Sequence, residues 1–352
     1  MTARYVPILK AKAAEITVLI NESTTVEVVP VFELLPAPKP RKPRPGETAK
    51  RTKGTATDVG YFFDDIERLW NGAYYMDLRH LPGSIGSWWD LVAAYRAIQG
   101  GNKAPIPVVD IGDASSTPPS FATLARAAER AALRVPFPHG NTGKILQAVR
   151  DIATATGLSP RSVDVIVDWS TSIANVNLDT AESHSEACVL ALVPIAGRVV
   201  IAGTIDDSDI AQAGDWTMDR REWWAWLRLH AKGIDVDFGD YALYEPKPPA
   251  PATPLYGHLR YSYEDKIDIH RSGPNRSGGL GPLFAECCSH LVSTASFRPA
   301  LSAADARISA IAAGEDEAKA AGTWREISFG HHLQLVNEQL QNPPAAPPPG
   351  TD

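Results

Sequence analysis

Eight short runs rich in β-branched and aromatic residues, spaced along the first two thirds of the chain, limit its fold more than any other feature. They are Tyr5 to Leu9, Val26 to Leu34, Ala73 to Leu78, Ile106 to Ile111, Leu133 to Phe137, Val163 to Asp168, Arg198 to Gly203 and Ile234 to Phe238. Several are too apolar to have a wet face, as expected of strands buried on both faces of a parallel sheet. Between them, segments 57–71, 87–98, 120–132, 142–156, 183–195 and 218–232 have helical character. Phe62, Ile66 and Leu69 fall on one helical face of the first, and Ile145, Val149 and Ile152 on one face of the fourth. Short strand, turn and helix repeated about eight times predict an α/β fold, a TIM-like (β/α)8 barrel over residues 1–245.

One crossover breaks the pattern. Residues 36–56 carry seven positive charges against one negative, with many prolines and no apolar period. Such a segment is expected to be a disordered basic insertion, and its charge makes it a candidate dock for nucleic acid. Lys247 to Pro251 reads as a stiff connector. Residues 246–342 then read as a C-terminal extension packed on the barrel, with a hairpin through LRYSYEDKIDIHRSG and helices over 283–293, 303–321 and 329–341. The proline-rich tail, 343–352, is expected to be disordered.

Composition removes several function classes. A net charge of -7 gives no overall attraction to nucleic acid or anionic lipid. No run of the roughly 18 to 20 apolar residues needed for a membrane span occurs, and the opening MTARYVPILK does not read as a signal peptide, so a cytoplasmic protein without membrane contact is expected. Cys188, Cys287 and Cys288 form neither a disulfide framework nor a CxxC zinc motif. No P-loop, GxGxxG after a first strand, GxSxG or HExxH is present.

Strand parity supplies the site. Alternate residues of a barrel strand point inward, and those at its C-terminal end line the mouth. Lys10 follows Val6 and Ile8 on one face; Glu33 follows Val29 and Val31; Asp77 and Arg79 follow Tyr75; Asp110 follows Val108; Asp168 follows Ile166. Apolar below and ionisable at the rim, these positions predict a ligand site. Charges there must pair with one another or meet a metal or polar ligand. Glu33, Asp77, Asp110 and Asp168 would offer hard oxygen ligands to Mg²⁺, with Lys10 and Arg79 placed for a phosphate or carboxylate. Mutual ion pairing is the bland alternative.

Weaker candidates are His139 after the fifth strand, Asp206 and Asp207 as a capping turn, and Asp240 with Tyr241 closing the eighth strand. Arg260, Tyr261 and Arg271 of the hairpin are placed to fold over the mouth. Trp223, Trp224 and Trp226 read as packing residues, and the adjacent His331 and His332 lack metal-ligand spacing.

The opening YVPILKAKAAE, the second-strand VVPVFEL, the YMDLR strand, RYSYEDKIDIHR and GTWREISFGHH together resemble the beta protein family, from Tyr5 to about Leu340. Lys10, Lys12, Glu33 and Asp77 match its recurrent positions, while the 36–56 insertion departs from it. The resemblance implies a TIM-barrel-like fold and a role in phage–host conflict, through mobile elements on which the founding member counteracts a neighbouring toxic gene. It implies no catalytic residues. Two functions follow as expectations: an immunity or defence component that binds a partner protein encoded nearby, or a metal-dependent phosphodiesterase or nuclease-like hydrolase using the acidic rim.

Overall fold

A computed structural model describes residues 3–35, 70, 72–81, 88–93, 104–138, 141–210, 212–244, 256–274, 279–348 and 350. Strands β1 (Tyr5–Leu9), β2 (Val31–Glu33), β3 (Tyr75–Asp77), β4 (Ile106–Asp110), β5 (Ala131–Pro136), β6 (Val163–Asp168) and β7 (Val199–Gly203) lie side by side in chain order. Strand β9 (Asp237–Asp240) closes the ring between β7 and β1, and every neighbouring pair is parallel. The expected TIM-like barrel is the fold. Around it lie α1 (Ala13–Asn21), helical residues 88–93, α2 (Pro119–Ala128), α3 (Thr142–Thr156), α4 (Leu178–Leu192) and α5 (Arg221–Ala231).

The runs Tyr5 to Leu9 and Val163 to Asp168 are strands residue for residue. The second run shortens to Val31–Glu33 with an isolated bridge at Val28, because Pro30 has no N–H for the ladder. The helix expected over 120–132 stops at Ala128, where Glu129 turns left-handed at φ 53°, and β5 starts at Ala131. The last barrel strand slides from 234–238 to Asp237–Asp240. Segments 36–56, 57–69, 94–98 and 247–251, together with His139, lie outside the described residues.

Two apolar layers hold the barrel. Val6, Ile8, Val31, Val108, Ile166 and Val200 fill its interior, while Leu9, Phe32, Leu133, Val167 and Phe238 face the helices. Gly239 keeps the interior uncrowded: a Cβ there would lie 3.0 Å from Val200 Cγ1 and from the Val6 carbonyl. Trp223 and Trp226 are fully buried on α5 and meet Phe238, as packing residues should.

At the N-terminal ends of the strands, two buried carboxylates are held from outside. Asp164 accepts from Arg130 Nε and Nη2 at 2.9 Å, from the Tyr75 hydroxyl at 2.9 Å and from the Arg198 backbone at 2.7 Å. Asp237 accepts from the Arg198 guanidinium and from the Arg4 backbone. Burial pushes the Asp237 carboxyl up, against the pull of Arg198.

The crossover between β7 and β9 contains a strand absent from the sequence reading, β8 (Gly214–Asp219). It pairs antiparallel with β11 (Lys266–Pro274), which pairs with β10 (Tyr256–Tyr263). The sheet of the extension therefore takes one strand from within residues 1–245. Beyond it lie α6 (Gly281–Leu291), α7 (Ala303–Ala313) and α8 (Ala321–Gln341). The expected 303–321 helix ends at Gly314, whose φ of 76° suits a residue without Cβ. The final helix starts eight residues earlier than read, at Ala321.

Helix α8 fastens the extension to the barrel. His332 bridges Asp240 Oδ2 (2.7 Å) and Ser262 Oγ (2.8 Å), Arg325 meets Glu15 at 2.9 Å, and Asn337 accepts from the N–H groups of Thr25 and Val26. The proline tail, read as unable to pack, instead lies against α5 over residues 343–348. Its Pro347 and Pro348 carbonyls accept from Arg228, because prolines that give no N–H still offer acceptors.

Candidate functional site

The register of the strands brings like charges together. Glu33 and Asp77 are Cα partners across β2 and β3, so two carboxylates stand side by side at the mouth. Asp110 is opposite Arg134 across β4 and β5. Arg134 shares the inward face with Ala132, and its guanidinium rises to the centre of the mouth, fully buried.

From that position it reaches most of the cluster. Arg134 Nη1 lies 2.7 Å from both Glu33 Oε1 and Asp77 Oδ2; Nε lies 2.9 Å from Asp168 Oδ2; Nη2 meets the Tyr241 hydroxyl at 2.5 Å. Tyr241 in turn donates to Asp168 at 2.7 Å. Lys10 is paired with Glu33. Arg79 spans Asp77 (2.9 Å) and Asp110 (2.7 Å), and His80 stands 3.4 Å from Glu33. Lys10, Glu33, Asp77, Arg79, Asp110 and Asp168 thus meet in one cluster.

The seventh candidate, Arg260, is held in a different place. It clamps Asp207 Oδ2 at 2.6 and 2.9 Å and lies over the Tyr244 ring, while Arg271 donates to the Ile210 carbonyl. The hairpin therefore grips the loop after β7 and does not place Arg260 on a rim carboxylate. Asp207, read as a cap, is a buried ion-pair partner; Asp206 does make a capping-type turn to the Ser208 N–H. Tyr261 points away from the mouth, its hydroxyl 2.9 Å from Asp305. His331 and His332 are both buried packing and hydrogen-bonding residues.

Burial opposes charge at the mouth, and the counterions decide the outcome. Burial alone would raise the Glu33 carboxyl, but Arg134, His80 and Lys10 hold it below the usual carboxylate range. Burial pushes the Asp110 carboxyl up, against the pull of Arg79. Lys10 is lowered by burial in spite of Glu33. Four carboxylates thus stand against three cations, and each carboxylate accepts from at least one cation.

Among the described residues, the cluster opens on one side. A cleft of about 410 Å³ is lined by Asp77, Arg79, Trp88, Asp110, Asp113 and Pro118 among others. Arg79 and Asp110 are the partly exposed members, at 19% and 32% of their side chains. A ligand entering here would meet a guanidinium flanked by two carboxylates, with an indole beside it. That arrangement suits a polar group carrying donors and acceptors together.

One central residue was missed by sequence reasoning, Arg134, while Tyr241, read only as closing the eighth strand, proves to be an inward group that meets Arg134 and Asp168. The signal for Arg134 was present: an arginine on the inward parity of a strand otherwise made of Ala, Leu, Val and Pro.

Comparison with curated proteins and with solved structures finds no match. The family model described as Beta protein matches residues 5–338, spanning every barrel strand, the mouth cluster and nearly all of α8. The chain belongs to the Beta protein family.

Proposed function

We propose that this chain is a binding component in phage–host conflict, restraining a toxin or sensing a phage product through the mouth of its barrel. One observation carries the reading: every rim carboxylate already accepts from a cation of the chain, so the mouth is built as a fixed constellation of donors and acceptors with one open flank. Pre-paired charges of this kind favour recognition, since they are held in place before a partner arrives. Arg79 and Asp110 at the open flank are the contacts a protein partner would meet. The basic segment 36–56 adds local charge through which nucleic acid would bind with strong salt dependence.

Co-expression with the neighbouring gene tests this reading. Copurification, or relief of that gene's toxicity, is expected, and Arg79→Ala with Asp110→Ala should weaken either by roughly tenfold or more. If the two products neither copurify nor alter each other's toxicity, the reading is wrong.

The acidic cleft favours a second reading, a Mg²⁺-dependent hydrolase of phosphate esters in which Asp77 and Asp110 hold the ion. Asp110 is the carboxylate least committed to a counterion and faces the cleft with Asp113. Phosphodiesterase turnover with Mg²⁺ or Mn²⁺ that disappears in Asp110→Asn is its expected result. Unchanged turnover in that variant would remove it.

A further inference from the structure

The three-stranded sheet holds a second cluster of coordinating side chains, unrelated to the mouth. Asp215 on β8 and His270 on β11 are direct cross-strand partners, and His290 comes from the last turn of α6. His270 Nδ1 lies 2.7 Å from Asp215 Oδ1, and His290 Nε2 lies 3.3 Å from Asp215 Oδ2. The two imidazole rings are 4.7 Å apart, and one ligand atom from each of the three residues falls within 4.8 Å of the others.

We infer that Asp215, His270 and His290 bind a divalent first-row transition metal ion, of which Zn²⁺ is the representative. Two imidazole nitrogens and a carboxylate turned to one point form a donor set that a cation can share. A metal ion takes a lone pair from each neutral ring and from the carboxylate at about 2.0 to 2.2 Å, which puts the ligand atoms roughly 3.3 Å apart in a tetrahedron. The observed separations need only small side-chain movements to reach that spacing. A nitrogen and carboxylate donor set suits zinc and its first-row neighbours better than Mg²⁺.

The surroundings agree. His270 is buried on a central strand and its Nδ1 meets Asp215, so the ring is fixed before an ion arrives. Asp215 and His290 are about half exposed, which gives an entry path and leaves a coordination position to solvent. Cys287, one turn before His290, is not a fourth ligand: its Sγ is directed to the His270 carbonyl oxygen at 3.5 Å, and burial pushes its thiol up to about 12. The bound ion would join the β7–β9 crossover to the extension through three separate elements.

The test uses the full chain without a polyhistidine tag, stripped with chelator and titrated with Zn²⁺, with bound metal read by elemental mass spectrometry. One zinc per chain is expected, with a melting temperature raised by roughly 3 °C at a hundredfold excess over Kd. His290→Ala and Asp215→Asn should each weaken binding by about tenfold or more. Both residues are half exposed, so the metal-free variants should melt as the parent does. Asp110→Asn at the mouth should retain the zinc, which separates this site from the hydrolase reading. Either no stoichiometric zinc in the parent, or zinc retained at parental affinity in the His290→Ala, Asp215→Asn double variant, would overturn the assignment.

Discussion

The two ends of the barrel solve the same problem with opposite arrangements of charge. At the mouth, one fully buried cation, Arg134, sits in the middle with Glu33, Asp77 and Asp168 around it. At the base, the buried groups are the anions Asp164 and Asp237, and the cations reach in from the periphery: Arg130 is 36% exposed and Arg198 21%. Each end also has one inward tyrosine, Tyr241 above and Tyr75 below, donating to a carboxylate. A peripheral cation can be replaced by water with limited loss. A central cation that separates three carboxylates has no such substitute.

Removing the centre is therefore the most damaging way to test the contrast. Arg134→Met should cost about 3 to 5 kcal/mol, read as a lowered urea midpoint, because it strands buried carboxylates side by side. Neutralising Glu33, Asp77 and Asp168 to their amides in the same chain should recover part of that loss. At the base, Arg130→Met should cost only about 1.5 kcal/mol, since Asp164 keeps the Tyr75 hydroxyl and the Arg198 backbone N–H. Equal losses from the two arginine variants would show that central and peripheral placement are energetically the same, and the contrast would fail.

Acid titration sharpens the comparison at smaller amplitude. Glu33 is held below its ordinary value, so its contribution is present above that value and is lost as pH falls. Asp237 is raised, so the folded state holds its proton more firmly than the unfolded chain and gains stability as pH falls through the carboxylate range. Between about pH 5 and pH 3, Glu33→Gln should flatten the acid loss of stability and Asp237→Asn should steepen it. Matching slopes in the two variants would contradict the opposed shifts.

The legibility of these features follows from how local their causes are. Parity along single strands was enough to gather Lys10, Glu33, Asp77, Arg79, Asp110 and Asp168, because alternation is a property of the strand itself. Arg134 is hidden in the sequence because the β-branched run begins only at Leu133, whereas the strand begins at Ala131 and carries Ala132 and Arg134 inward. Tyr241 is legible only as the residue closing the eighth strand, and its inward role emerges once the strand runs to Asp240. Strand β8 had no local signal at all. GDWTMD is largely exposed or half-exposed, and it becomes a strand only by pairing with β11, some fifty residues downstream. Arg260 was misplaced for the same reason: its partner Asp207 belongs to a loop whose position depends on that sheet.

The clasp of α8 on the first βα unit has a consequence in time. Asn337 holds Thr25 and Val26 across more than 300 residues of sequence, and Arg325 holds Glu15 across 310. During synthesis at about 5 to 20 residues per second, β1 and α1 emerge before α8 and lack this buttress until it has been made, a delay of at least roughly 15 seconds. Closing contacts of such sequence separation also slows folding itself. The first βα unit is thus made well before the helix that locks it, and in that interval an unfinished barrel is exposed to proteases and chaperones.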